Sequence, residues 1–199
     1  MTEVSSLTGR LLVATPALAD PNFDRAVVLL LDHDEQGSLG VVLNRPTLVG
    51  VGDVLQPWAP LAGAPGVVFQ GGPVALDSAL GIAVIPGEEG PSPNSRLRSS
   101  GGDPIGWRRV HGAIGLVDLE APPELLAGAL GSLRIFAGYS GWGPGQLEDE
   151  VGEGAWYVVE SEPGDVAFPV PEQLWRAVLR RQRSDLAMVA TYPDDPSLN

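Results

Sequence analysis

The chain has no cysteine among its 199 residues, which excludes disulfides, thiolate metal sites and thiol redox chemistry. It has no lysine either, so all 12 basic residues are arginine, as a GC-rich coding sequence alone would produce. Only two histidines, His33 and His111, are present, too few for a zinc site of the usual nitrogen and sulfur type. Carboxylates remain as the sole potential ligand set, for a hard cation. No run of eighteen apolar residues occurs, so no membrane span is expected. Basic charge is scarce as well. Twelve arginines face 25 acids, a net charge of −13 shared by both halves, and a chain of that sign is repelled by a phosphate backbone. Direct nucleic-acid binding is therefore disfavoured.

What is present suits one compact domain over residues 1–199, with an apolar content of 44% to build its core. Arg10 and the run Leu11–Ala19 imitate a secretory leader poorly: Glu3 precedes the run and Thr15-Pro16 interrupts it. A first strand and a cytoplasmic protein are the expectation. Leu11–Ala14, Ala26–Leu31 and Leu39–Leu43 read as strands, the last two apolar at successive positions and so buried on both faces. Asp32–Ser38 between them reads as a slightly long, solvated hairpin loop. Val51–Trp58 reads as a short helix with Val54, Leu55 and Trp58 on one side. Val67–Phe69, Leu80–Ile85, Ile114–Leu119, Leu133–Ala137 and Trp156–Val159 read as strands, and Pro122–Leu130 as a helix. Pro171–Gln182 reads as a helix with Leu174, Trp175, Val178 and Leu179 inward. Residues 87–106, rich in Pro, Gly and Ser, are expected to form a flexible connection. The order lacks a regular βαβ repeat and predicts an α/β chain of α+β character, a mixed sheet flanked by helices.

Gly138-Tyr139-Ser140-Gly141-Trp142-Gly143 approaches the elbow that presents a serine nucleophile, but Trp142 stands where a small residue belongs and His111 precedes Ser140 in the chain. A packed glycine turn with Trp142 in the core is the better reading, and a hydrolase using Ser140 with His111 the lesser one. Glycine spacing here fits neither a dinucleotide fingerprint nor a phosphate loop. After it, Pro144 suits a first helical turn, with Glu148, Asp149 and Glu150 near the helix's positive end. Asp32-His33-Asp34-Glu35 gathers three carboxylates and an imidazole, yet adjacent side chains seldom converge on one ion, so a solvated loop with a freely titrating His33 is expected. In Asn44-Arg45-Pro46, proline extends the backbone of Arg45, and a fixed guanidinium beside an amide suits a carboxylate or phosphate. The alternative is structural, with Asn44 capping a turn and Arg45 paired to an acid. Arg176, Arg180, Arg181 and Arg183 form a basic face on the last helix, open to a docking role or explained by the helix dipole.

Gly9–Pro16 with Asp20-Pro21-Asn22-Phe23, then Gly40–Pro46, Gly71-Gly72-Pro73-Val74, Gly138–Glu148 and the ending Asp195–Asn199 together resemble the YqgE/AlgH family of bacterial proteins. The resemblance spans nearly the whole chain. It implies a single α/β domain with mixed sheets and no established reaction, and one branch is named for a proposed role in regulating alginate transcription. The family commonly has Ala where this chain has Ser140, which weakens the hydrolase reading, and the Gly87–Pro104 stretch departs from its usual pattern. The reading that follows is a non-enzymatic binding or regulatory module serving an unknown protein or small molecule. Its expected cleft is framed by Asn44, Arg45, Gly71, Gly72, Trp142 and Gln146, with no catalytic residue, metal or cofactor assigned. A transcriptional regulator, direct or through a partner, is the alternative.

Overall fold

Strand β1 (Leu11–Ala14) and strand β2 (Val27–Asp34) bury every apolar residue they contain, because each lies inside the sheet with a layer packed on both sides. Leu11, Val13, Val27 and Leu29 point into the main core, while Leu12, Ala14, Val28 and Leu30 point into a second core on the opposite face. The computed structural model describes residues 6–86 and 103–194. Most of the expected connection at 87–106, and the ending Asp195–Asn199, lie outside the described residues.

The other strands are β3 (Gly37–Val42), β4 (Pro46–Gly50), β5 (Val67–Gln70), β6 (Val74–Val84), β7 (Trp107–His111), β8 (Ile114–Val117), β9 (Ser132–Trp142) and β10 (Trp156–Val159). They join in the order β10-β1-β2-β3-β9-β6-β8-β7, with β5 also on β9 and β4 on β5. Every pairing is antiparallel except β5 on β9, which makes the sheet mixed. Strand β9 is the pivot: Ser132–Tyr139 pairs with β6, and Ser140–Trp142 with β3. The sheet curls until the His111 side chain at the end of β7 packs on Gly9 just before β1.

The helices are short: α1 (Val51–Val54), α2 (Gln146–Gly152), α3 (Pro163–Val166), α4 (Leu174–Arg180) and α5 (Leu186–Val189). Helix α4 sinks Leu174, Trp175, Val178 and Leu179 into the main core, the stripe its 3.6-residue period predicts. Helix α2 covers the opposite face through Leu147 beside Trp142 and Trp156. A third core holds Trp58 and Trp107.

Several sequence expectations are corrected. The Asp32–Ser38 loop is strand, since β2 runs to Asp34 and β3 starts at Gly37, with a bulge near Leu31. The glycine motif is likewise strand rather than turn through Trp142, and Trp142 is buried as expected. Val54 is exposed, leaving Val51 and Trp58 to bury the α1 region. Pro122–Leu130 forms only a 3₁₀ turn at Pro123–Leu125. Strand β7 was not anticipated, because Trp107-Arg108-Arg109-Val110-His111 carries no continuous apolar signal and pairs along one edge only.

Candidate functional site

Beyond β5 the chain must cross β9 at contact distance. Gly71 N donates to Ala137 O (2.8 Å), and Val42 N donates to Gly71 O (2.8 Å), so the segment is stitched between β9 and β3. A Cβ on Gly72 would overlap the Tyr139 carbonyl and the Ser140 hydroxyl. Gly138 opposite has a φ of +71°, a conformation side chains resist, and its missing Cβ leaves room for the Gly72 carbonyl.

Asn44 fixes the other wall. Its Oδ1 accepts from Val27 N (3.0 Å) and its Nδ2 donates to Arg25 O (2.9 Å), which locks the 20–25 segment against the end of β3. Arg45 follows, its backbone carbonyl accepting from Gln70 N (2.8 Å) and its Nη2 donating to Asp24 O. The result is a hollow of about 150 Å³ lined by Pro21, Asn22, Val42, Arg45, Gln70, Gly72 and Pro73. Burial lowers the Arg45 pKa from its ordinary value, opposed by the Asp24 carboxylate. A guanidinium, two primary amides and an open backbone corner give this hollow the donors that an anionic oxygen group requires.

Of the residues singled out from sequence, Arg45 and Gly72 line the hollow, and Asn44 and Gly71 support its walls from behind. Trp142 and Gln146 sit elsewhere. Trp142 lies tilted against Phe23 (6.3 Å) and edge-on to Trp156 (6.1 Å), and both indoles donate to Glu150 Oε2 at 2.9 Å. Gln146 donates to Glu150 Oε1 (3.0 Å) and accepts from Gly143 N (3.0 Å), holding the entry to α2. Pro21, Asn22, Gln70 and Pro73 were missed as lining residues. The signal for the first two was the Asp20-Pro21-Asn22-Phe23 motif itself.

Ser140 is wholly buried and donates to Gly71 O (3.1 Å). Among the described residues no hydrogen bond joins it to His111, so it has neither the base nor the access a nucleophile needs. His33 is buried, contrary to the solvated loop expected of it. Its Nδ1 lies 2.6 Å from Ser38 Oγ, and its Nε2 lies 3.1 Å from Glu148 Oε1, off the axis of a straight hydrogen bond. Its neighbours Asp32 and Asp34 alternate to the outside of the strand, and no group of three metal-type ligands forms among the described residues. On the last helices, Arg176 binds Asp194 (2.7 Å) and Arg181 chelates Asp165 (2.6 and 2.7 Å), so half of the anticipated basic face is consumed internally. The Asp165 hydrogen bonds raise the Arg181 pKa against the cost of burial.

A family model described as AlgH-like matches residues 11–187. A UPF0301 protein of Streptomyces avermitilis is 81% identical over 199 residues, covering 100% of this chain and 98% of the relative. A crystal structure of a Corynebacterium diphtheriae protein superposes with a TM-score of 0.81 at 31% identity, over 93% of this chain and 92% of that one. The solution structure of the AlgH protein from Pseudomonas aeruginosa superposes with a TM-score of 0.63 at 25% identity, over 98% of each chain.

Proposed function

The chain belongs to the AlgH-like family, and from that starting point we propose that it is a cytosolic binding module whose hollow at Arg45 recognises a compact anionic group, a carboxylate or a phosphate. One observation carries the reading. Three segments far apart in sequence, Pro21-Asn22, Val42–Arg45 and Gln70–Pro73, converge on a single small polar hollow holding a guanidinium. Arg45 has its backbone pinned on one side by Gln70 and its side chain held by the Asp24 carbonyl, so little freedom is lost when a ligand docks. The hollow is too small for a nucleotide and fits one head group, presented by a metabolite or by an acidic side chain of a partner.

Isothermal titration with acetate, succinate, inorganic phosphate and an acidic peptide tests this. Saturable binding of one of them, weakened at least tenfold by Arg45→Ala and less by Gln70→Ala, supports the proposal. Binding that Arg45→Ala leaves unchanged, or no binding by any of the four at millimolar concentration, overturns it. Binding by the free acids assigns a metabolite, and binding by the peptide alone assigns a protein partner.

A further inference from the structure

The register of β4, β5, β9 and β6 shows what lies beside the Arg45 hollow. Phe69 and Phe136 face the main core, so their neighbours Val68, Gln70, Ile135 and Ala137 face the other way. Arg45 stands opposite Gln70, because Pro46 pairs with Phe69 in an antiparallel ladder and Gln70 N donates to Arg45 O (2.8 Å). Gln70 pairs in turn with Ala137, and Ala137 with Ala79. Two residues further along the ladder, about 7 Å away, the same face carries Thr47, whose hydroxyl donates to Val68 O (2.6 Å), then Val68 and Ile135. Gln70 therefore stands at a boundary: it lines the Arg45 hollow on one side, and on the other it adjoins Ala137.

Ala137, Val68 and Ile135 floor a second hollow, of about 510 Å³. Val49 on β4 and Val54 and Leu55 at the end of α1 border it. Across from them, four residues of β6, Ala75–Ser78, stand opposite Gly138 alone, so the strand bows out and raises Leu76 beside the hollow. Val49, Val54 and Leu76 are 44%, 57% and 54% exposed. Large apolar side chains left open singly need no account, but three around one concavity mark a binding surface. The volume falls in the range of small-molecule sites, roughly 300–1,000 Å³, and so does the mainly aliphatic lining with a few polar groups. We propose that the two hollows are the two ends of one site, and that its ligand is a monocarboxylic acid on a hydrocarbon body. The proposal rests on the reading of the Arg45 hollow as an anion site and adds the rest of the molecule that carries the anion. The carboxylate meets Arg45 and the Gln70 amide, and the hydrocarbon lies over Ala137, Val68 and Ile135. Asp77 also lines the second hollow, and its carboxylate makes no hydrogen bond or ion pair among the described residues. It repels a second negative charge at that end, which orients the acid and selects against dicarboxylates.

Isothermal titration of the full chain with acetate, octanoate, octanedioate and 1-octanol tests this. Octanoate is expected to bind one to one, at least tenfold more tightly than each of the other three. Arg45→Ala reduces octanoate to the affinity of octanol. Leu76→Asp, at an exposed position, reduces octanoate to the affinity of acetate without lowering the melting temperature, and Val54→Asp gives the same result should the first variant fold poorly. Acetate binding that depends on Arg45 while octanoate binds no more tightly overturns this inference and leaves the Arg45 reading standing. Octanoate binding that survives Arg45→Ala, or no binding by any of the four, overturns both. Octanoate affinity untouched by folded Leu76→Asp and Val54→Asp, or matched by octanol or octanedioate, overturns the inference alone.

Discussion

Arg134 is the residue least at ease in this structure. It sits on β9 in the main core, 2% exposed, with its guanidinium 4.2 Å over the Phe69 ring. One nitrogen donates to Ala64 O (3.0 Å) and Phe168 O (3.3 Å), while Nε and Nη1 have no partner. No carboxylate faces it among the described residues, so burial alone lowers its pKa to about 10. For a base whose pKa falls on folding, the unfolded chain binds the proton more tightly, and stability therefore rises with pH between the two values. Well below pH 10 the full penalty applies, and it is relieved as pH climbs through and above that value. Relief between pH 9 and pH 11 amounts to about 1 kcal/mol at roughly 1.4 kcal/mol per unit. Arg134→Met removes the titration, so the stability difference between variant and wild type should shift by that amount in the wild type's favour over this interval. Urea denaturation at the two pH values measures it, and a constant difference would show that water reaches the guanidinium. Gly72 offers a contrast at the same scale. Gly72→Ala drives a Cβ into the Tyr139 carbonyl and should cost several kcal/mol, as overpacking against backbone does, whereas Gly128→Ala, with open space around its Cβ, should move the melting temperature little.

At the scale of the element, helix α2 has seven residues and its own propensity cannot hold it. Glu150 anchors it by accepting from two indoles and one amide. Glu150→Ala would leave both Trp142 and Trp156 N–H groups unsatisfied, at about 1–3 kcal/mol each, and a loss of about 3 kcal/mol is expected. Glu150→Gln keeps one accepting oxygen and should lose about half as much. Tryptophan fluorescence during urea unfolding reports directly on the two rings, and equal costs for the two variants would show that the carboxylate charge, not the acceptor count, matters. Elements with a uniform local signal were legible in the sequence. The four apolar residues of β1, the Trp156–Val159 strand and the buried stripe of α4 appear in the structure as read. Elements whose character is set by neighbours were not. Gly138–Trp142 is glycine-rich, and only pairing with β3 and β6 makes it strand. Asp32–Ser38 is polar on one face because that face meets solvent, while His33 and Ser38 on the other are buried under α2.

The same limit applies to the molecule as a whole. The order of the predicted elements pointed to a mixed-sheet α+β chain, yet nothing local indicates that β9 joins two sheet halves or that His111 closes on Gly9. The candidate hollow shows the consequence: Arg45 and Gly72 could be singled out by residue type, but Pro21 and Gln70 become neighbours only after the sheet curls. Net charge, by contrast, is a whole-molecule property that the sequence states outright. Twenty-five acids against twelve arginines leave −13 on one folded body, whose compact state brings these charges closer together than the unfolded chain does. Several ion pairs oppose that repulsion. Arg10–Glu160 and Arg25–Asp194 involve largely exposed carboxylates and contribute little, while Arg181–Asp165, with its buried acid, is the pair least screened by salt. Repulsion over the whole surface therefore outweighs the exposed pairs, and sodium chloride raised from about 10 to about 300 mM, which shortens the screening length from roughly 30 to under 10 Å, should raise the melting temperature by a few degrees. A melting temperature that falls with salt would mean that the attractive pairs hold more of the stability than the excess charge removes. Asp165→Asn would then locate that attraction, since it deletes the buried acid while leaving the exposed pairs intact.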